Sequence, residues 1–332
     1  MSRMGHRKKQ LLRYAALFFL VVFLLSATFL FLNLWENSHS VYPSDGSEGL
    51  DSKIEYNGKE YVLKDGIQTL LVMGLDKFDD AVQNDAYNND QQADFVMLFV
   101  IDDTNRTCTA IHINRDTMVD MSILGVAGEK VGIVNQQLAL AHTYGNGRQV
   151  SCHNTAEAVS NLLFNVKVNH YVSVTMDAVP IYNDLVGGVE VTVMDDFTGV
   201  DDTLVKGETV TLMGEHALRY IRSRYGMDDS SNDARMKRQR QYLSALYEKS
   251  SELIKNDDEF VIQASLKMAD YMISDCSADR LQTLFEKISA YEFTEIRALE
   301  GDIVEGEKLI EFYPDVDSLK KMVVELFYRL DD

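Results

Sequence analysis

The chain has 332 residues, of which 46% are hydrophobic and 25% charged. This balance is typical of a globular protein and excludes a largely disordered one. Its 52 acidic residues outnumber its 32 Lys and Arg residues, so the formal net charge is -20. Nucleic-acid binding relies on basic surface that displaces phosphate counterions. We therefore expect no nucleic-acid partner, and any site for an anion must be local.

The N-terminal segment has the pattern of a membrane anchor. Residues 14–35 contain no charged side chain, and as a helix they would extend about 33 Å, enough to cross a bilayer. The preceding residues 1–13 carry only basic charges. By the positive-inside rule this tail stays cytoplasmic and the rest of the chain is exported. We predict a single-pass type II protein in the cell membrane. A cleaved signal peptide is the alternative, but its apolar core is usually shorter.

After the anchor, residues 36–60 are predicted to be a spacer and residues 61–332 one extracellular domain. The spacer is polar and contains several Ser and Gly residues together with Pro43. The domain alternates apolar β-like runs with segments of helical spacing, which predicts a central sheet covered by helices. Helical spacing continues across 134–145 and 154–165, and again in the segments that follow residue 213.

Three carboxylates lie at the ends of predicted strands. Asp76 ends the apolar run that starts at Ile67, Asp94 begins the next run, and Asp116 follows the third. Ligands of open sheets collect outside the strand ends, and paired carboxylates suit Mg²⁺. The alternative is that these acids are simply solvated at the ends of their strands.

Seven cations lie within residues 218–243, although the rest of the chain is acidic. Arg222 and Arg224 converge on one ligand only if their helix ends there, which Gly226 permits. Arg235, Arg238 and Gln239 are spaced i, i+3, i+4 and share one face of the following helix. Arginine is suited to phosphate because it makes bidentate contacts. The alternative is a solvated basic face.

Several blocks of the sequence, in order, resemble the LytR-CpsA-Psr family. They are LLVMGLD, ADFVMLFVID, INRDTMVD, HYVSVTMDAVPIYNDLVGGVEVTV, LMGEHALRYIRSR and RMKRQRQYL, all within residues 67–245. The resemblance implies an α/β/α sandwich with a central mixed sheet. It also implies an enzyme that moves a glycopolymer from a polyprenyl-pyrophosphate carrier to peptidoglycan, outside the membrane of a Gram-positive bacterium.

The same resemblance implies roles for individual residues. Asp76 and Asp94 match the acids that bind Mg²⁺, and Arg115 matches the arginine of the PRD block. Residues that match pyrophosphate ligands are Arg222, Arg224, Arg235 and Gln239. The resemblance thus implies catalytic roles for Arg115, Arg222 and Arg224, and Asp116 is the candidate base.

The chain departs from the family pattern at four places. Gln92 stands where the family has an arginine, and we keep it among the substrate-binding candidates. Asn114 replaces the proline of the PRD block, Ile133 replaces a lysine, and Asn232 stands near the expected aspartate of a conserved turn. The competing hypothesis is therefore a non-catalytic, membrane-anchored protein that binds or regulates lipid-linked glycans.

The topology leads to a test on intact, wall-stripped cells. We expect an added protease to cut within residues 61–332, because the charge asymmetry around the anchor places them outside. Immunoblots with antibodies against this domain would measure the cleavage. Survival of the domain while a known outer protein is cut would contradict the predicted topology.

Overall fold

The computed structural model describes residues 53–77, 89–224, 226–227, 229–257, 259–306 and 309–331. In chain order its strands are β1 (Lys53–Tyr56), β2 (Lys59–Leu63), β3 (Ile67–Leu75), β4 (Ala93–Asp102), β5 (Thr107–Ile113), β6 (Met118–Leu124), β7 (Lys130–Gln137), β8 (His170–Thr175), β9 (Val189–Thr192), β10 (Thr209–Leu212), β11 (Met272–Ser274), β12 (Glu292–Ala298), β13 (Gly301–Glu305), β14 (Ile310–Pro314) and β15 (Tyr328–Leu330). The α-helices are α1 (Gln149–Leu162), α2 (Ala178–Leu185), α3 (Glu215–Arg222), α4 (Asn232–Asn256), α5 (Phe260–Met268), α6 (Ala278–Ala290) and α7 (Val316–Phe327). Two short 3-10 helices cover Leu138–Thr143 and Ala269–Tyr271.

The central sheet has six strands in the order β11-β8-β3-β4-β5-β12. It is mixed, because β3 pairs parallel with β8 but antiparallel with β4, and β5 pairs antiparallel with β4 but parallel with β12. The apolar runs that predicted β3, β4 and β5 are buried on both faces, as expected of strands that lie between two layers of helices. The predicted central mixed sheet is confirmed.

Helices cover both faces of this sheet. On one face, Leu71 and Leu98 belong to a core cluster that includes Val159 of α1 and Val323 of α7. On the other face, Leu70 belongs to a cluster that includes residues of α6 and is packed by Tyr247 of α4. Adjacent strand residues point to opposite faces, so the continuous apolar runs supply both cores at once. The α/β/α layering predicted from the sequence is confirmed.

An apolar cavity of about 320 Å³ lies between the sheet and helices α4, α5 and α6. Alternate residues of β4, namely Phe95, Met97 and Phe99, form part of its floor. From the sequence, we expect an apolar interior channel for a lipid tail, lined by the segments 136–144 and 158–164. A cavity is present, but those segments pack on the opposite face of the sheet. The expected location is wrong. The strands are apolar on both faces, so their sequence does not show on which side of the sheet the helices leave a cavity.

Two hairpins were not predicted as strands. The β6–β7 pair includes part of the segment 134–145, for which the spacing predicts a helix; only Leu138–Thr143 is helical there, as a 3-10 turn. The β13–β14 pair follows β12. Their exposed apolar residues, such as Ile133 and Ile303, do not alternate in the manner of a half-buried strand.

The hairpin β1–β2 belongs to a small sheet in which β15 pairs with β2. The spacer predicted for residues 36–60 therefore overlaps ordered structure from Lys53 onward. The predicted anchor 14–35 and tail 1–13 lie outside the described residues. Among the helices of the described part, none is long and apolar enough to cross a membrane.

Arg238 on α4 is a structural residue. The sequence alone does not decide whether it binds phosphate or supports the fold. Its side chain has no exposed surface. Its Nε donates to the Tyr220 carbonyl at 3.0 Å, and one Nη donates to the Ser223 carbonyl. The other Nη forms an ion pair with Asp195. A cation near the carbonyl end of a helix is favourable, so Arg238 fixes the point at which α3 ends.

Arg238→Met is expected to lower the free energy of unfolding by roughly 3 kcal/mol, because it leaves Asp195 and two carbonyls without their partner. Urea titration followed by circular dichroism would measure the loss. The neighbouring Lys237→Met is the matched control; its ion pair with Asp233 is half exposed, so the expected change is below about 1 kcal/mol. Similar losses from both variants would contradict the structural role of Arg238.

Candidate functional site

Three strand ends meet at one edge of the central sheet. Leu75 at the end of β3 pairs with Ala93 at the start of β4, and Val96 of β4 pairs with Ile113 at the end of β5. Asp76 follows Leu75 directly, Asp94 is the second residue of β4, and Asp116 lies three residues beyond Ile113. Because β4 is antiparallel to both neighbours, its start lies beside their ends. The strand-end carboxylates predicted from the sequence are therefore brought to one edge.

Two of these carboxylates are paired with predicted phosphate ligands. Asp76 accepts a hydrogen bond from Arg222, and both side chains are more than half exposed. Asp94 forms an ion pair with Arg115, which also donates to the Gln92 side chain. From the sequence we expect removal of either acid to relieve repulsion. The structure contradicts that expectation, since each acid neutralises an arginine.

Asp116 is held in a buried polar network. Its carboxylate accepts hydrogen bonds from Gln137 and Asn232, each at 3.1 Å, and its backbone N–H donates to Asn114 Oδ1 at 2.9 Å. Asn232 also donates to Asn114 Oδ1 at 2.7 Å and accepts from Arg235 at 2.6 Å. Two departures from the family pattern, Asn114 and Asn232, are thus in direct contact. Asn114 and Asn232 could be picked out in the sequence because they depart from the family pattern. No feature of the sequence points to Gln137 as a member of this network.

Burial raises the pKa of Asp116 above its ordinary value. The positive charges of Arg115, Arg235 and Arg224 and the hydrogen bond from Asn232 oppose this rise. Desolvation is the largest effect, because a carboxylate loses hydration in the interior. A carboxylate with a raised pKa is a stronger base than an exposed one, which suits proton abstraction.

The arginines of the basic segment are close enough to affect one another. Burial, together with the positive charges of Arg115 and Arg224, lowers the pKa of Arg235 to about 10. Helix α3 ends at Arg222 and Gly226 adopts a positive φ of 81°, so the condition that the sequence sets for Arg222 and Arg224 to reach one ligand, a helix end at this point, is met. A gathering of mutually repelling cations is favourable only near negative charge. The geometry therefore supports an anion site.

Gln239 lies at the border between this cluster and the cavity. It is buried, and its Nε2 donates to the Ile221 carbonyl at 3.3 Å. It also lines the cavity. Its amide thus helps Arg238 to hold the end of α3, a positioning role beside the predicted contact with substrate.

The remaining cations of the segment divide into two groups. Arg219 pairs with Asp201 at 2.7 Å and Lys237 with Asp233 at 2.6 Å, and about half of each cationic side chain is exposed. The sequence predicts solvated faces for these two and also for Arg240. Arg240 differs, because it is half-buried and its Nη1 is fully covered.

The residues at the sheet edge fit a magnesium ion in kind. Asp76 and Asp94 supply hard carboxylate oxygens at neighbouring strand ends, and Mg²⁺ prefers such ligands together with phosphate oxygens. Within the described ranges, another group, His170, Asp275 and Cys276, has ligand atoms within 4.8 Å of one another. It lies at the opposite end of β8, and Arg280 donates to the His170 ring at 3.3 Å. That contact favours a structural network there.

Comparison with known proteins identifies the family. The profile of the LytR_cpsA_psr family matches residues 32–322. The chain belongs to the LytR-CpsA-Psr family. This match covers the whole sheet and the site, so the resemblance inferred from the sequence blocks is confirmed.

Two curated relatives of this LytR-CpsA-Psr chain are transferases by name. One is the polyisoprenyl-teichoic acid–peptidoglycan teichoic acid transferase TagU of Enterococcus faecalis, 28% identical over 70% of this chain and 67% of its own length. Another is the corresponding transferase TagV of Bacillus subtilis, 27% identical over 79% of this chain and 64% of its own length. The chain thus spans about two thirds of these relatives. The prediction of a LytR-CpsA-Psr enzyme is confirmed at the level of the family.

Solved structures of the family share the fold. A structure described as TagT bound to LI-WTA has a TM-score of 0.59 and 24% identity, and covers 79% of this chain and 90% of its own. At this identity the likeness bears on the fold alone. It agrees with the mixed sheet and two helical layers.

The network around Asn232 leads to a stability test. Asn232→Ala removes one partner from each of Asn114, Asp116 and Arg235, and buried groups without partners cost about 1–3 kcal/mol each. We expect a loss of roughly 2 kcal/mol in a urea titration. Asn135→Ala, whose exposed side chain donates to Asp120 at 2.7 Å, should change stability by less than about 0.5 kcal/mol. An unchanged midpoint for Asn232→Ala would show that the network does not hold Asp116.

Proposed function

We propose that this protein transfers a glycopolymer phosphate from a polyprenyl-pyrophosphate carrier to peptidoglycan, with Mg²⁺, during assembly of a Gram-positive cell envelope. The observation that carries the proposal is the position of the arginine cluster at one end of an apolar cavity. A donor of this class has a doubly charged head and a long hydrocarbon tail. The head needs a cationic environment and the tail an apolar one. The arginine cluster and the cavity adjoin here.

The tail is assigned to the cavity between the sheet and α4, α5 and α6. Phe95 follows directly after Asp94 and lines the cavity, so apolar surface begins one residue from the charged edge. Well-packed interiors leave few voids. A cavity of about 320 Å³ falls within the range of small-molecule sites, about 300–1,000 Å³.

The head group is assigned to Arg115, Arg222, Arg224 and Arg235. In the free protein Arg115 and Arg222 are neutralised by Asp94 and Asp76. Asp76 and Asp94 would hold Mg²⁺, and the phosphate oxygens of the donor would then take their place as partners of the two arginines. When bound, the ion supplies Lewis-acid stabilisation of charge on the phosphoryl oxygens. The same residues thus serve the free and the loaded states.

The reaction exchanges one phosphorus–oxygen bond for another. The oxygen of an acceptor sugar hydroxyl bonds to the phosphorus that carries the glycopolymer. The bridging bond of the pyrophosphate breaks, and polyprenyl phosphate leaves. Positioning and charge stabilisation dominate catalysis of this kind. Asp116 accepts the hydroxyl proton, since its raised pKa and its network suit a general base.

The proposed location follows from the predicted anchor, which remains a prediction. A type II anchor at residues 14–35 would hold the domain against the outer face of the cell membrane, where lipid carrier and wall acceptor meet. The lipid bilayer is then a partner through both the anchor and the donor tail.

A non-catalytic binder of lipid-linked glycans is the second candidate. The replacement of an expected arginine by Gln92 favours it, because the side chain at this position accepts a hydrogen bond from Arg115 instead of adding a cation. The two candidates differ in turnover: a binder retains the lipid-linked donor, whereas a transferase releases polyprenyl phosphate.

The deciding experiment incubates the full chain in detergent with Mg²⁺, a synthetic polyprenyl-pyrophosphate glycan and a peptidoglycan fragment. Mass spectrometry should detect a phosphodiester-linked product and an equal amount of polyprenyl phosphate. Chelation of Mg²⁺ should stop the formation of both. Donor that binds but remains intact through many hours would overturn the proposed transfer and favour the binder.

Asp116→Asn should reduce the transfer rate by about 10²–10⁴-fold while donor affinity stays within a few-fold, because only the proton acceptor is lost. In the wild type the rate should rise with pH as Asp116 deprotonates, and a raised pKa moves this rise to higher pH. The variant should lack that rise. Asp120→Asn, at an exposed site four residues away, is the control and should behave as the wild type. A normal rate in Asp116→Asn would exclude Asp116 as the base.

A further inference from the structure

Four buried nitrogen atoms in or near the arginine cluster have no hydrogen-bond partner within the described part of the chain: His112 Nδ1, Arg115 Nε, Arg235 Nε and Arg240 Nη1. Arg115 Nε lies 3.5 Å from Asp116 Oδ1 and is accounted for by that ion pair, which leaves the other three to be explained. Buried polar groups are nearly always hydrogen-bonded, so each exception calls for an explanation. Leaving such a group unpaired costs about 1–3 kcal/mol. Three exceptions in one region indicate that a ligand supplies the missing partner.

The three groups are within range of one another's charge. Burial lowers the pKa of His112 to about 3, and the positive charges of Arg240 and Arg235 contribute to the decrease. Both guanidinium groups therefore act on the imidazole, which is neutral and carries one N–H donor. His112 is 1% exposed, and it lies on β5 two residues before Asn114.

This group of residues adjoins the cavity at its charged end. The His112 ring lies 4.9 Å from the ring of Phe95, and His112 pairs in register with Met97. Phe95 and Met97 both line the cavity, as does Gln239, the neighbour of Arg240 on α4. A head group that enters between Arg235 and the cavity would therefore meet His112 and Arg240.

The surroundings of Arg240 favour an anion. Burial is the largest influence on Arg240 and lowers its pKa. The acid that acts on it is Asp233, which forms its ion pair with Lys237 at 2.6 Å. A partly desolvated guanidinium gains from a charged acceptor more than an exposed one does. Its exposed neighbour Lys237 already has such an acceptor.

We propose that Arg240 and His112 form, together with Arg235, a second phosphate subsite that recognises the pyrophosphate of a prenyl donor and is not filled by a prenyl monophosphate. The inference rests on the proposed function and deepens it. It assigns to these residues the discrimination between the donor and the polyprenyl phosphate that remains after transfer. Loss of the contacts at this subsite would favour release of the product.

The test measures binding of geranylgeranyl pyrophosphate and geranylgeranyl monophosphate to the full chain in detergent with Mg²⁺, by isothermal titration calorimetry. The wild type should bind the pyrophosphate at least tenfold more tightly. Arg240→Gln should weaken pyrophosphate binding about tenfold or more, since a charge-assisted contact is lost. Its affinity for the monophosphate should stay within about twofold.

Lys237→Gln is the matched control, because it removes a cation three residues away on the same helix. It should leave both affinities unchanged within about twofold. Arg240→Lys retains the charge and should recover part of the preference, which also guards against a folding defect in Arg240→Gln. His112→Val should reduce the preference for pyrophosphate by a few-fold, and His112→Asn, which keeps a donor, should reduce it less.

The outcomes separate the subsite from the function it serves. Equal weakening of both ligands by Arg240→Gln, or no weakening of either, would overturn the subsite while leaving the proposed function intact. A wild type that binds both lipids with equal affinity would also overturn it. A wild type that binds neither lipid would overturn the proposed function together with the subsite.

Discussion

The antiparallel pairing of β4 with β3 and β5 is the constraint on which the site depends. It places the end of β3, the start of β4 and the end of β5 side by side. Three carboxylates that follow one another at intervals of about 20 residues therefore share one edge, and alternate residues of β3 and β4 line the cavity. A shift of one residue in the register of β4 would turn Phe95 and Met97 away from the cavity. Strand register thus sets both the charged and the apolar half of the site.

Electrostatics at this edge reverse the balance of the rest of the molecule. The chain is acidic overall, yet the positive charge of Arg224 contributes to lowering the pKa of Arg115 and of Arg235, and the charge of Arg115 contributes to lowering the pKa of Arg235. Partial burial strengthens their mutual repulsion, because low-polarity surroundings screen charges poorly. Arg238 and Gln239 hold the end of α3 through its last carbonyls. The stability of the fold therefore offsets the repulsion between the clustered arginines.

Much of this arrangement is predictable from the sequence, for identifiable reasons. Long apolar runs mark β3, β4 and β5, and their terminal acids follow directly from strand ends. Sequence patterns do not predict the features that are set by contacts between residues far apart in the chain. The contact of Asn114 with Asn232 joins residues 118 positions apart, and no local pattern signals it. Arg240 and Lys237 are both cations of the same helix, but Arg240 is half-buried whereas Lys237 is exposed. The side of the sheet that holds the cavity is equally hidden, since both faces of the strands are apolar.

The exposed pair of Asp76 and Arg222 shows how such a site can remain open to ligands. Both side chains are more than half exposed, and ion pairs of this kind contribute only about 0–1 kcal/mol. Separating the pair, so that the carboxylate can take a cation and the guanidinium a phosphate, therefore requires little free energy. Asp94 and Arg115 are more buried, and breaking a buried pair without replacement is much less favourable. Exchange of partners is thus expected to begin at the exposed pair, with the buried pair opening only when metal and phosphate are both at hand.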